Sequence, residues 1–209
     1  MGTLRLLRGT RHGTSPHGRK GHDETTSRPP LPRTELPHRA PPRYGPESPD
    51  TLPDTHLPVW AKRLPEPVWA AVELADVVIH TGDWVSVALL DELEARSRRL
   101  IGCWGNNDGP ELRSRLPEVA RVTLEGLSVA VVHETGTAKG REERCERAYP
   151  GVDVLVFGHS HIPWDTTSPG GLRLLNPGSP TDRRRQPYCT YQTATITAGR
   201  LEQVALHNL

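Results

Sequence analysis

Five short fragments of this chain carry side chains that ligate divalent metals: Asp54-Thr55-His56, Gly82-Asp83, Gly105-Asn106-Asn107-Asp108, His133 and Gly158-His159-Ser160-His161. They offer imidazole nitrogens from His56, His133, His159 and His161, carboxylates from Asp54 and Asp83, and the amide oxygen of Asn106. Nitrogen and oxygen donors without thiolate suit Mn, Fe, Zn or Ni rather than a cysteine-held structural zinc. These seven ligands are too many for one ion and match two ions that share a bridging carboxylate. A two-metal centre of that kind is suited to attack on phosphate esters.

The intervening segments read as an α/β domain that positions the fragments. Asp76 to His80 is a short apolar run, expected as a buried strand, and Gly82-Asp83 follows it. Leu100 to Trp104 is the next strand and runs into Gly105-Asn106. Leu127 to His133 is a third, joined to Ala120–Leu124 through a hairpin turn at Glu125-Gly126. Val152 to Phe157 is a fourth, ending at Gly158-His159. Helices are expected over Pro67–Ala75, over Ser86–Arg99 with Ser86 as N-cap, over Glu111–Leu116 and over Lys139–Tyr149. The remainder is β-rich, at Gly171–Leu175, Tyr188–Thr197 and Leu201–His207, with Gly170-Gly171 as a turn. Four of the five fragments thus fall just beyond the C-terminal end of a strand, where open α/β sheets place their ligand sites. Helical units followed by an antiparallel run predict two sheets packed face to face with helices outside.

Composition narrows the function. With 26 basic and 25 acidic side chains the net charge is +1, so the chain exerts no strong pull on nucleic acid or anionic membrane, and neither is taken as a partner. No apolar run approaches the roughly 20 residues that span a bilayer. Cys103, Cys145 and Cys189 form no CxxC pair, which fits a reduced, cytoplasmic protein. Residues 1–50 differ in texture: they hold 9 of the 21 prolines, nine basic residues against five acidic, and no apolar periodicity. We expect a disordered Pro/Arg/His-rich extension over 1–53 and a catalytic domain over 54–209.

In type, order and strand-end position the five fragments resemble the calcineurin-like metallophosphoesterase superfamily, in particular its small single-domain bacterial and archaeal (YfcE-type) phosphodiesterase branch. The pattern there is D-x-H, G-D, G-N-x-[DH], a lone H after a strand, and G-H-[ST]-H. An Asn176-Pro177-Gly178-Ser179 loop follows here as in that branch. The resemblance implies a four-layer αββα sandwich of two mixed sheets. It further implies hydrolysis of phosphate esters, phosphodiesters above all, by a hydroxide bridging two divalent ions, Mn2+ first and Ni2+, Fe2+ or Zn2+ as alternatives. Asp54, His56, Asp83 and His161 would hold one ion; Asp83, Asn106, His133 and His159 the other. Asp83, Asn106, His133 and Asn107 would be the catalytic residues. The partner is a small phosphodiester, and a homo-oligomer is compatible with the sequence.

Departures from the pattern shape these expectations. Asn107 stands where many members have a histidine that protonates the leaving group, which favours diesters or activated esters. Glu134 follows His133 where glycine is frequent in the family. Arg183, Arg184 and Arg185 come after the Asn176–Ser179 loop; Arg183 is the candidate for a substrate phosphate, against the plainer reading of a solvated basic face. Upstream of Asp54 the family has an apolar first strand. Here Arg43–Pro53 contains three prolines, so that strand is expected to be disrupted and residues 1–53 to come from a shifted frame or wrong start. The rival function is a scaffold of the same fold that binds protein partners without catalysis. A third is a nucleic-acid protein that uses the basic extension.

Overall fold

The computed structural model describes the backbone of Thr3–Arg8 and residues 63–209. Two five-stranded mixed sheets stack with helices on both outer faces, the expected αββα order. The first sheet has the order β10-β9-β1-β2-β3, from β1 (Thr3–Arg8), β2 (Val77–His80), β3 (Leu100–Gly102), β9 (Thr190–Thr197) and β10 (Arg200–Asn208). The second has the order β4-β5-β6-β8-β7, from β4 (Val119–Leu124), β5 (Leu127–Val132), β6 (Val154–Phe157), β7 (Trp164–Thr167) and β8 (Arg173–Asn176).

Alternation along the strands builds the layers, since neighbouring side chains point to opposite faces. Val77 and Ile79 of β2 meet Val129 and Val131 of β5, Val154 and Val156 of β6, and Ala194 and Ile196 of β9 in one buried layer between the sheets. Val78 points the other way. It packs beneath α1 (Glu66–Leu74), α2 (Val87–Arg96) and α3 (Pro110–Arg115) with Trp69, Leu90, Leu93 and Leu112. On the far side Ala130, Leu155, Phe157 and Leu174 meet Cys145 of α4 (Arg141–Ala148). Each fully buried Val, Leu or Ile contributes about 1.5–3 kcal/mol, so burial on both faces makes these short strands the firmest part of the fold.

Local signals act where the sequence places them. Ser86 caps α2, its Oγ accepting the Leu89 N–H at 3.3 Å. Glu125 and Gly126 both have positive φ, 49° and 90°, which is the two-residue hairpin turn expected between β4 and β5.

The first strand departs from expectation. Six residues of the segment read as a disordered extension, Thr3–Arg8, form β1 in the interior of the first sheet. β1 runs parallel to β9 and antiparallel to β2, with Thr3 opposite His80 and Leu6 opposite Val77. The slot beside β2 is therefore filled from the start of the chain, not from the proline-rich text before Asp54. Averaging over fifty proline-rich residues hid a strand whose partners lie some seventy and nearly two hundred residues away. β7 also escaped the sequence reading. It is a four-residue edge strand of alternating exposure with only Trp164 apolar.

Candidate metal centre

Parallel pairing sets the site. β2 pairs in parallel with β3, and β5 with β6, so within each sheet the two strands end on the same side. The loops leaving them bring together Asp83, Asn106, His133 and His159. Ligand atoms of Asp83, His133 and His159 all lie within 4.8 Å of one another. Asn106 Oδ1 stands 3.0 Å from His133 Nε2 and 3.1 Å from His159 Nδ1. His133 Nε2 is 3.4 Å from Asp83 Oδ2 and 3.2 Å from His159 Nδ1.

The Thr81 carbonyl can only accept, so His133 Nδ1–H donates to it at 2.7 Å, and in the neutral ring Nε2 is left as the ligand nitrogen turned to the cluster. Asn106 Nδ2 donates to Asn107 Oδ1 at 3.2 Å, which leaves its own oxygen facing the rings. A carboxylate, an amide oxygen and two imidazole nitrogens then converge, and that donor set suits a divalent ion of the Mn, Fe, Zn or Ni group.

Strained backbone frames the same residues. Asp83, His159 and His161 have φ of 58°, 63° and 58°, in the left-handed region that costs about 1–2 kcal/mol for residues with a side chain. Gly105 is obligatory: a Cβ there would collide with Oδ1 and the backbone nitrogen of Asp83. Asp108, 3% exposed, ties the two loops. Its Oδ2 accepts the N–H groups of Asp83 (3.0 Å) and Gly105 (2.7 Å), and its Oδ1 that of Val85 (3.2 Å). Arg113 Nε in turn donates to the Asp108 carbonyl at 2.7 Å, and its guanidinium lies over the Trp104 ring. Two of the three N–H partners of Asp108, those of Asp83 and Val85, lie 25 and 23 residues away in sequence.

The other expected site residues are distributed around this cluster. Asn107 donates from its backbone N–H to Asp83 Oδ1 (3.0 Å) and from Nδ2 to Asp83 Oδ2 (2.9 Å), so it orients the carboxylate. His161 stands outside the four-residue cluster, its Nδ1 donating to the Asp182 carbonyl at 2.9 Å. It lines, with Asp83 and Asn107, a cavity of about 740 Å³. Arg184 lines that cavity too, and its guanidinium has no hydrogen bond or ion pair among the described residues. Arg183 does not line it; its guanidinium donates to the Gln186 carbonyl at 2.9 Å. Asp54 and His56 lie outside the described residues.

His80 and Trp84 belong to the core under the site. They stack at 3.8 Å, Trp84 Nε1 donates to the Cys103 carbonyl, and His80 Nδ1 accepts the Gly82 N–H. Burial holds His80 well below its ordinary pKa of 6.5. Burial likewise pulls His161 down to about 4, outweighing the nearby Asp182 carboxylate. Both rings stay neutral in the fold but protonate near 6.5 in the unfolded chain, which binds more protons below that pH. Their contribution to stability is therefore complete above about pH 6.5 and drains away as pH falls toward 4. The melting temperature of metal-free protein should fall between pH 7 and 5. His80→Asn, which keeps an acceptor for Gly82, should flatten that fall, and an equally steep fall in this variant would contradict the assignment.

Residues 51–199 match the calcineurin-like phosphoesterase superfamily domain, a span that includes Asp54 and His56. The chain is 32% identical to a probable metallophosphoesterase of Methanothermobacter thermautotrophicus, over 61% of this chain and 74% of that protein. It is 26% identical to a phosphodiesterase of Methanocaldococcus jannaschii, over 62% of this chain and 78% of that one. The solution structure of a Thermotoga maritima protein superposes with a TM-score of 0.58 at 29% identity, covering 75% of this chain and 95% of that one.

Proposed function

Because the chain belongs to the calcineurin-like phosphoesterase superfamily, we propose that it is a phosphodiesterase working with two divalent metal ions, Mn2+ foremost. The convergence of Asp83, Asn106, His133 and His159 within ligand distance of one another carries this reading. These four would hold one ion. Asp83 and His161, with Asp54 and His56, would hold the second. When bound, the ions supply a water of lowered pKa and charge to neutralise the phosphoryl oxygens.

The chain's own groups set what else the site can do. Asn107 fixes both oxygens of Asp83 and, being an amide, gives no proton to a departing alkoxide. Esters with a stable leaving group are therefore favoured, aryl diesters among them. Buried Asp83 and His133 keep their ligand atoms from bulk water, while exposed Asn106 and Asn107 leave the centre open on the substrate side. Arg184, without a guanidinium partner among the described residues, lines the cavity with Asp83 and His161 and is a cation suited to a phosphate oxygen. The free cysteines, two of them buried, agree with a cytoplasmic setting.

Hydrolysis of an aryl phosphodiester and of the matching monoester, each with and without Mn2+, tests the reading. The expected result is Mn2+-dependent turnover with the diester preferred. Arg184→Ala should raise KM about tenfold with little change in kcat, and Arg183→Ala should change neither. Bound metal with no turnover of either ester would overturn the enzyme and favour a partner-binding scaffold.

A further inference from the structure

His159 meets the cluster through Nδ1, which is 3.1 Å from Asn106 Oδ1 and 3.2 Å from His133 Nε2. In a neutral ring the nitrogen used as ligand carries the lone pair, so the proton must sit on Nε2. Nε2 faces outward, and the group it meets is the carboxylate of Glu134, with Oε1 at 4.0 Å. Glu134 is the residue directly after His133, where the family pattern gives no reason to expect an acid. Among the described residues it has no other ion-pair or hydrogen-bond partner.

The loop that carries Glu134 is fixed. Arg144 of α4 donates to the carbonyls of Thr135 (2.7 Å from Nη2), Thr137 and Lys139 (3.1 Å), and Arg141 donates to that of Gly136 (3.2 Å). The 4.0 Å separation exceeds a hydrogen bond, and the half-exposed Glu134 side chain would have to rotate on this pinned loop to make one. Metal-ligating histidines commonly donate their second ring N–H to a carboxylate, which holds the tautomer and raises the basicity of the ligand nitrogen. We propose that Glu134 is a positioning residue for the metal centre: it accepts the Nε2–H of His159 and thereby commits Nδ1 to the metal. The inference rests on the metal-centre reading above, and it concerns a residue that touches neither ion nor substrate.

The test uses the full chain and Zn2+ alone, without substrate. In Zn2+-loaded protein, nitrogen NMR of the histidines should show His159 metallated at Nδ1 and protonated at Nε2. In Glu134→Ala the Nε2–H signal should broaden through exchange with water, and Zn2+ affinity should fall about tenfold. Glu134→Gln, which keeps an accepting oxygen, should restore most of both, and the melting temperature of the metal-free protein should be the same in all three. Zinc on Nε2, or unchanged affinity in Glu134→Ala, overturns the role of Glu134 while leaving the metal centre intact. A wild-type chain that binds no Zn2+ overturns both.

Discussion

Asp83→Asn should remove metal-dependent turnover, by on the order of a thousandfold or more, equivalent to about 4 kcal/mol of transition-state stabilisation. Asp83 is the one carboxylate in the cluster among the described residues, 3.4 Å from His133 Nε2 and held at both oxygens by Asn107. Asparagine has the same shape without the charge, so the cation loses its anionic ligand while the cavity keeps its form. The backbone decides the choice of substitution. At φ 58° asparagine is tolerated, whereas alanine adds left-handed strain of about 1–2 kcal/mol. Asp83→Asn should therefore melt only modestly below wild type in the absence of metal, since its amide must face one of the two Asn107 N–H donors, and it should show no thermal shift when Mn2+ is added. Wild-type turnover in this variant would remove Asp83 from the centre.

Asp108→Ala should be the most damaging substitution for stability near the site. It leaves the buried N–H groups of Asp83 and Gly105, and the part-buried one of Val85, without their acceptor. At about 1–3 kcal/mol for each unsatisfied donor, partly offset by water entering the gap, the loss is on the order of 3–5 kcal/mol. For a domain of this size that corresponds to a fall in melting temperature of roughly 10 °C or more. Metal affinity should fall with it, since the same carboxylate holds the Asp83 and Asn106 loops in register. Asp108→Asn should lie between. Its oxygen can serve Asp83 and Gly105 from the Oδ2 position, but its amide then opposes the Val85 N–H. Thermal denaturation of the three metal-free proteins checks the order, and an unperturbed melt in Asp108→Ala would contradict the clamp.

The legibility of these features in the sequence follows their range. β2, β3, β5 and β6 are short runs buried on both faces, so local apolarity alone identified them, and the fragments after them fell where parallel strands end. The Ser86 cap and the Glu125-Gly126 turn depend on neighbours a few positions away and were equally readable. β1 was not, because its place is fixed by ladders to β2 and β9 and its six residues sit at the head of a proline-rich stretch. The Asp108 clamp, the Asn107 hold on Asp83 and the choice of Arg184 over Arg183 at the cavity were beyond reach for the same reason. Each depends on which way a loop side chain turns, and that is set by backbone 24 or 25 residues distant in the first two cases. The burial of His80 was anticipated from its position inside an apolar strand.

If the cluster of Asp83, Asn106, His133 and His159 holds a divalent metal that the chain needs in order to cleave a phosphodiester, chelator-stripped protein should regain turnover of an aryl phosphodiester as Mn2+ is added back. The expected result is no turnover at the start and a saturable rise that follows Mn2+ occupancy in the wild type, absent from Asp83→Asn. Turnover that persists in the stripped protein, or rises equally in Asp83→Asn, would contradict it.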